Sequence, residues 1–174
     1  MSAINGVFER RRSHVSDRAL TGSLATLADY GWDGSDRWIG GEVGLGFQRT
    51  ALVPEDRGEK LPWHDASTGL AVTADVRLDN RKDVLTALAL PASTTLPDSR
   101  LIVGAWQKWG RDCPRYLVGD FAVAIWDAGQ QTLFCARDHI GASPFYYSLT
   151  AERLVFASDI RGVLAVPDVS DRLD

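Results

Sequence analysis

The spacing of apolar residues changes several times along the chain, and each change predicts an element. Residues 3–8, Ala3-Ile-Asn-Gly-Val-Phe8, read as a buried strand. Behind Ser16-Asp17, a pair suited to capping, Leu20, Leu24 and Leu27 recur at helical spacing, and Gly31 stands just past them as a stop. Val43, Leu45 and Phe47 alternate, as do Leu70, Val72, Val76 and Leu78, which predicts two half-buried stretches of strand with a polar loop over residues 54–63 between them. Asp79 or Asn80 is placed to cap a short helix containing Val84, Leu85 and Leu88. Asp98 is placed to cap another, carrying Leu101, Ile102, Ala105, Trp106 and Trp109 before Gly110.

Residues 121–126, Phe-Ala-Val-Ala-Ile-Trp, form a strand apolar on both faces, and Ala128-Gly-Gln turns it into a second strand over 132–136. Residues 145–149 and 154–157 predict a further hairpin, and 159–164 a last short helix. Strands that need cover on both faces therefore alternate with helices. The expected class is α+β, a four-layer αββα sandwich formed by one domain over residues 1–174.

Composition narrows the function classes. The chain has 174 residues, 45% of them hydrophobic, which suits one domain with a sizeable core. A formal net charge of -4 supplies no footprint for nucleic acid or an anionic membrane, and the lone basic cluster, Arg10-Arg11-Arg12, reads as a solvated strand end. No apolar run approaches the roughly 18 residues that span a bilayer, and the first residues lack a basic-then-apolar leader, so the expected compartment is the cytoplasm. Cys113 and Cys135 are too few and too isolated for a zinc pattern and read as free thiols, Cys135 as part of the core.

Two stretches are dense enough to carry a resemblance: Gly119-Asp-Phe-Ala-Val-Ala-Ile-Trp-Asp127 and Leu133-Phe-Cys-Ala-Arg-Asp-His-Ile-Gly-Ala-Ser-Pro-Phe-Tyr-Tyr147. With Met1-Ser-Ala-Ile-Asn-Gly-Val-Phe8 they resemble the N-terminal glutaminase domain of the asparagine synthetases, a class II glutamine amidotransferase of the Ntn-hydrolase fold. The resemblance runs over nearly the whole chain and implies the same αββα sandwich. In that family the nucleophile is a cysteine at position 2, freed by removal of the initiator Met so that its own amine serves as general base. Here the position holds Ser2, whose hydroxyl is a far weaker acid than a thiol. Arg49, in Gly46-Phe-Gln-Arg-Thr50, falls where the family holds the glutamine carboxylate, a task suited to a bidentate guanidinium. Asp98, in Pro97-Asp-Ser99, falls where the family binds the substrate amine. Residue by residue, Arg49 also reads as a strand-surface charge and Asp98 as a helix N-cap.

The departures concentrate at the oxyanion site. Anchored on Asn80, the family's Asn-Gly-Glu motif places Asp75, Val76 and Arg77 over those three positions. An ionised Asp75 accepts hydrogen bonds only and repels a developing oxyanion, whereas losing even one donor there costs about 10²–10³ in rate. Val76 puts a β-branched side chain where glycine admits close approach. His139, beside Arg137 and Asp138, reads as part of a structural turn.

Nucleophile and oxyanion donors have departed together. This is similar to the degenerate glutaminase domains of β-lactam synthetases and lasso-peptide cyclases, which form amide bonds without ammonia. On that resemblance the domain is a scaffold for an ATP- and Mg-using synthetase domain, C-terminal or separate, in an enzyme expected as a homodimer. No cofactor is implied in this chain, and the Ser-Gly-Gly-rich pyrophosphate loop of a synthetase does not occur in it. Two other readings stand beside the scaffold: an active N-terminal-serine glutamine amidohydrolase, and a module that binds glutamine through Arg49 and Asp98 without cleaving it.

Overall fold

Ala3, Ile4 and Val7 of the predicted first strand are fully buried, and the elements that bury them follow the hydrophobic pattern closely. In chain order these are β1 (Ala3–Glu9), α1 (Asp17–Ala25), β2 (Gly34–Gly40), β3 (Val43–Arg49), β4 (Trp63–Asp65), β5 (Leu70–Leu78), α2 (Arg81–Ala87), α3 (Asp98–Trp109), β6 (Gly119–Asp127), β7 (Thr132–Arg137), β8 (Tyr146–Leu149), β9 (Arg153–Ala157) and α4 (Ile160–Leu164). The computed structural model describes residues 1–171 except 12, 54, 55, 57 and 93–95. Arg12 of the basic triplet and part of the expected 54–63 loop thus lie outside the described residues. The chain divides into two units, Met1–Thr50 with Pro144–Asp174, and Ala51–Ser143.

The first unit is an antiparallel five-stranded sheet in the order β2-β3-β1-β9-β8, with α1 and α4 packed on one face. Ala3, Val7, Val155 and Ala157 point into a core closed by Ala19, Leu20 and Leu27 on one side and Val163 and Val166 on the other. The alternation of Val43, Leu45 and Phe47 predicted a half-buried strand, yet β3 is buried on both faces from Val43 to Gln48. The intervening positions are Gly44 and Gly46, and α1 presses against them: a Cβ on Gly44 would lie 3.1 Å from a Leu20 methyl, and one on Gly46 3.1 Å from a Leu24 methyl. Glycine reads as a polar gap in a hydrophobicity pattern, but here it is the surface a helix packs on. Ser16 holds the α1 N-cap position without a side-chain cap, and Asp17 pairs with Arg37 of β2 at 2.7 Å. Arg10 and Arg11 are exposed at the end of β1, Arg11 against Glu152 at 2.6 Å, as expected of a solvated strand end.

The second unit is an antiparallel four-stranded sheet, β4-β5-β6-β7, on which α3 lies against β5 and α2 against α3. Trp106 of α3 meets Phe134 of β7 with ring centroids 4.9 Å apart, which identifies the face bearing Phe134, Ile125 and Val72 as the one the helix covers. Both faces of β6 are buried from Phe121 to Trp126, as its composition predicted. The chemistry-bearing positions 75–77 lie near the carboxyl end of β5, where burial relaxes. Asn80 occupies the α2 N-cap position, but its side chain accepts from the Val118 N–H and donates to the Tyr116 carbonyl, each at 3.0 Å. Cys113 and Cys135 are free thiols, pushed up by burial to about 11 and about 12. No helix among the described residues is long and apolar enough to cross a membrane.

Candidate functional site

Ser2 precedes β1 and is only 8% exposed. Its hydroxyl meets Thr50 twice: the Thr50 N–H donates to Ser2 Oγ at 3.1 Å, and Ser2 Oγ donates back to the Thr50 carbonyl at 3.2 Å. Thr50 is in turn fixed by its own hydroxyl, which donates to the Tyr30 carbonyl at 2.5 Å and accepts from the Trp32 N–H at 3.4 Å. The arrangement ties the start of β1, the end of β3 and the 30–32 turn into one knot. Gln48 completes it by donating to the Leu24 carbonyl at 2.8 Å, and Gly31 is required beside it because a Cβ there would lie 2.1 Å from Gln48 Oε1. Gly31 thus ends the short 3-10 turn Ala28–Tyr30 and also admits the Gln48 side chain.

Arg49 closes β3 in the same unit. One terminal guanidinium nitrogen donates to the Asp33 carbonyl at 2.5 Å, and the Asp33 N–H returns a bond to the Arg49 carbonyl at 2.9 Å. Guanidinium carries five N–H donors. The bond to the Asp33 carbonyl uses one of them.

Asp75, Val76 and Arg77 follow one another on β5, and their register decides what each can do. Asp75 is opposite Ala122, and Ala122 opposite Arg137, so these three side chains share a face. Val76 is opposite Phe121 and lies on the other face, the one α3 covers. Adjacent strand residues alternate in this way, and the Val76 side chain therefore does not crowd the face that carries Asp75. Arg77 returns to the Asp75 face. Its guanidinium is shared between Asp120, at 2.7 Å, and Asp79, and those carboxylates hold its pKa above the ordinary arginine value.

Asp98 is the first residue of α3, after Pro97, which holds the N-cap position without a side-chain cap. One carboxylate oxygen accepts from the Leu78 N–H at 2.7 Å, and the other pairs with the Arg81 guanidinium. The pair is well buried, with side-chain exposures of 11% for Asp98 and 15% for Arg81. Arg81 also donates to the Leu96 carbonyl. Asp98 thus joins the end of β5, the start of α2 and the start of α3. The N-terminus of α3 is also met by Glu59 from the preceding loop, whose carboxylate accepts from the Ser99 hydroxyl at 2.6 Å and from its N–H. Burial pushes the Glu59 carboxyl up, against the opposing effect of those bonds.

Thr50, Arg81 and Glu59 are the residues that pattern reading missed. Their partners stand 48, 17 and 40 positions away, and no periodicity encodes such pairings. Among the described residues no group of three or more His, Cys, Asp or Glu is placed to hold a metal ion.

The glutamine amidotransferase domain family matches residues 1–174. The chain belongs to this family. It is 29% identical to asparagine synthetase [glutamine-hydrolyzing] 3 of Bacillus subtilis over all of this chain and 29% of that protein. To asparagine synthetase [glutamine-hydrolyzing] 2 of the same organism it is 26% identical, over 90% of this chain and 21% of that protein. The chain therefore spans less than a third of these relatives. Among solved structures, the glutamine phosphoribosylpyrophosphate amidotransferase of B. subtilis, complexed with ADP and GMP, superposes with a TM-score of 0.74 over 94% of this chain and 43% of that one, at 15% identity. That likeness shows the fold: the α+β class that the hydrophobic pattern anticipated, of the Ntn-hydrolase type that the resemblance implied.

In this glutamine amidotransferase domain the Ala136-Arg-Asp-His139 segment is organised by Asp138. The carboxylate, in a residue only 4% exposed, accepts from the N–H groups of Ala142 at 2.8 Å, Ser143 at 2.9 Å, Ile140 at 3.2 Å and Phe121 at 3.4 Å. Burial alone raises the Asp138 pKa, but the backbone donors of Ser143, Ala142, Phe121 and Gly141 outweigh it and hold the carboxyl below the ordinary range. His139 is exposed on the turn. The turn reading of this segment agrees with its geometry.

Proposed function

We propose that residues 1–174 form a single glutaminase-like domain that has lost ammonia-releasing chemistry. Its role is to support an ATP- and Mg-dependent synthetase domain, fused or separate, in an amide-bond-forming enzyme of the asparagine synthetase family. The observation that carries this reading is the commitment of Ser2. Its single O–H donates to the Thr50 carbonyl and its oxygen accepts the Thr50 N–H, so the group at the nucleophile position works as a structural clip. A nucleophilic hydroxyl must instead surrender its proton to a base aimed at it.

Two further positions support the reading. Asp98, at the place of the amine-binding aspartate, has both oxygens engaged by Leu78 and Arg81. Asp75 puts a carboxylate where an oxyanion needs a donor. The first also weighs against a module that holds glutamine by both ends. Loss of the oxyanion donor together with the nucleophile aligns the domain with those of β-lactam synthetases and lasso-peptide cyclases, where an amine already in the substrate replaces ammonia. The enzyme as a whole is expected to act as a homodimer.

The test is ammonia release from glutamine by the purified chain, together with labelling by a glutamine-analogue electrophile read by intact mass. Background ammonia and an unmodified Ser2 are expected. Stoichiometric modification of Ser2, or turnover above background, would make the domain an active N-terminal-serine amidohydrolase and end the scaffold reading.

A further inference from the structure

The α2–α3 pair carries a groove that none of the family positions uses. It encloses about 490 Å³ and is floored by Leu88, Leu90, Leu96 and Val103, with Arg100 and Lys108 along α3 beside it. No acidic residue is among its described lining residues, although the chain as a whole is acidic. Local charge is thus opposite to the net charge, and it borders an apolar floor.

Three features build this groove. Gly104 lines it, and a Cβ there would come within 2.7 Å of a Leu88 methyl, so the absence of a side chain lets Leu88 settle onto α3. The end of α2 then turns sharply: the Ala89 N–H bonds the Thr86 carbonyl at 3.0 Å and the Leu90 N–H bonds the Leu85 carbonyl at 2.9 Å. This closing motif places Ala89 at φ 55°, a left-handed conformation normally given to glycine. It leaves Leu90 40% exposed on the groove rather than folded away. Third, the two cations are held in place. The Arg100 guanidinium lies 4.3 Å from the centre of the Trp63 ring, and Lys108 donates to the Ala87 carbonyl, leaving further N–H donors on each.

Spacing selects the occupant. Arg100 and Lys108 are eight positions apart on one helix, about 12 Å along its axis. A ligand with a single carboxylate would meet one cation only. A helix with a leucine face and two carboxylates two turns apart would meet both while covering the apolar floor. We propose that this groove docks an acidic amphipathic helix of a partner protein, held by leucine side chains against the floor and by a carboxylate at each cation. The surface is separate from the positions 2, 49, 75 and 98, and its failure would leave the reading of those positions untouched.

The experiment uses the whole chain and fluorescence anisotropy with a capped alanine-based helical peptide of about four turns, bearing leucines on one face and two glutamates two turns apart. Saturable binding in the micromolar range is expected, weakened at least about ten-fold by Arg100→Glu with Lys108→Glu and by a peptide carrying lysine for glutamate. Gly104→Leu, which fills the floor without altering charge, should weaken binding independently, and thermal melts of all variants separate lost binding from lost folding. Equal binding to wild type and the charge-reversed variant overturns the proposal. So does absence of binding, or saturable binding of dodecanoate without the peptide, which would make the groove a site for a small amphipathic anion.

Discussion

Ser2 and Thr50 form a reciprocal pair in which one hydroxyl serves both polar groups of a single peptide residue, at 3.1 and 3.2 Å. Ser2→Ala therefore removes two hydrogen bonds at once and leaves the Thr50 backbone without them. The expected cost is about 1–2 kcal/mol of unfolding free energy, read by urea denaturation. A change indistinguishable from zero would mean that the clip contributes nothing to the fold and that Ser2 is retained for another reason.

Restoring the nucleophile should not restore the reaction. Ser2→Cys alone is expected to leave ammonia release at background, because on the proposed reading Asp75 puts a carboxylate where an oxyanion would need a donor. Ser2→Cys with Asp75→Asn is expected to give the first measurable turnover, and adding Val76→Gly to change little, since the Val76 side chain lies on the α3 face of β5. Such dependence of one substitution on another is normal for groups that act as a unit. Robust turnover in the single Ser2→Cys variant would remove Asp75 from the oxyanion site.

Asp98 is expected to behave as a structural residue. Asp98→Ala strands the buried Arg81 guanidinium and frees the Leu78 N–H, and should cost about 3 kcal/mol or more. Replacing both members of the pair, Asp98→Leu with Arg81→Met, should recover much of that loss because no uncompensated charge remains. If Asp98→Ala is as stable as wild type and loses only glutamine affinity, measured by calorimetry, then Asp98 is a substrate ligand instead.

Asp138 sets an acid limit. Its folded pKa is depressed by four backbone donors, so its contribution is fully present above the unfolded carboxyl value, about 3.9, and is lost as pH falls through the lower folded value. Asp159 acts in the same direction: its carboxyl is held low first by the Arg161 side chain and then by the Arg161 N–H. Stability measured by urea titration should be flat from neutral pH to about pH 5 and decline below it. Asp138→Asn should be less stable at pH 7 by about 1–3 kcal/mol and show a shallower decline in acid. A parallel decline in both proteins would mean that other carboxylates govern acid unfolding.

The sequence by itself determined the order and kind of most elements, because hydrophobic periodicity is a local property and tertiary burial acts on it directly. Leu101, Ile102, Ala105 and Trp106 read as one helix face and form it; residues 121–126 read as a strand buried on both sides and are. Two strands, the seven-residue β2 and the three-residue β4, were not legible. Among the residues of β2, Asp36 and Arg37 break any apolar alternation, and the three residues of β4 pair with β5 only because the chain returns to it. The motif residues gave the family for the same local reason: type and spacing survive in the linear chain. What the tertiary structure alone decided is where each polar atom spends its hydrogen bonds. Ser16 and Asn80 stand at helix N-cap positions, as their residue types predicted, yet neither caps its helix with its side chain, while Asp98 accepts from the Leu78 N–H and pairs with Arg81, and Asp159 caps α4 by accepting from the Arg161 N–H at 2.9 Å. A side-chain oxygen takes whichever donor packing brings within about 3 Å, and for Ser2 and Asp98 those donors come from Thr50, Leu78 and Arg81, which only the folded chain brings beside them.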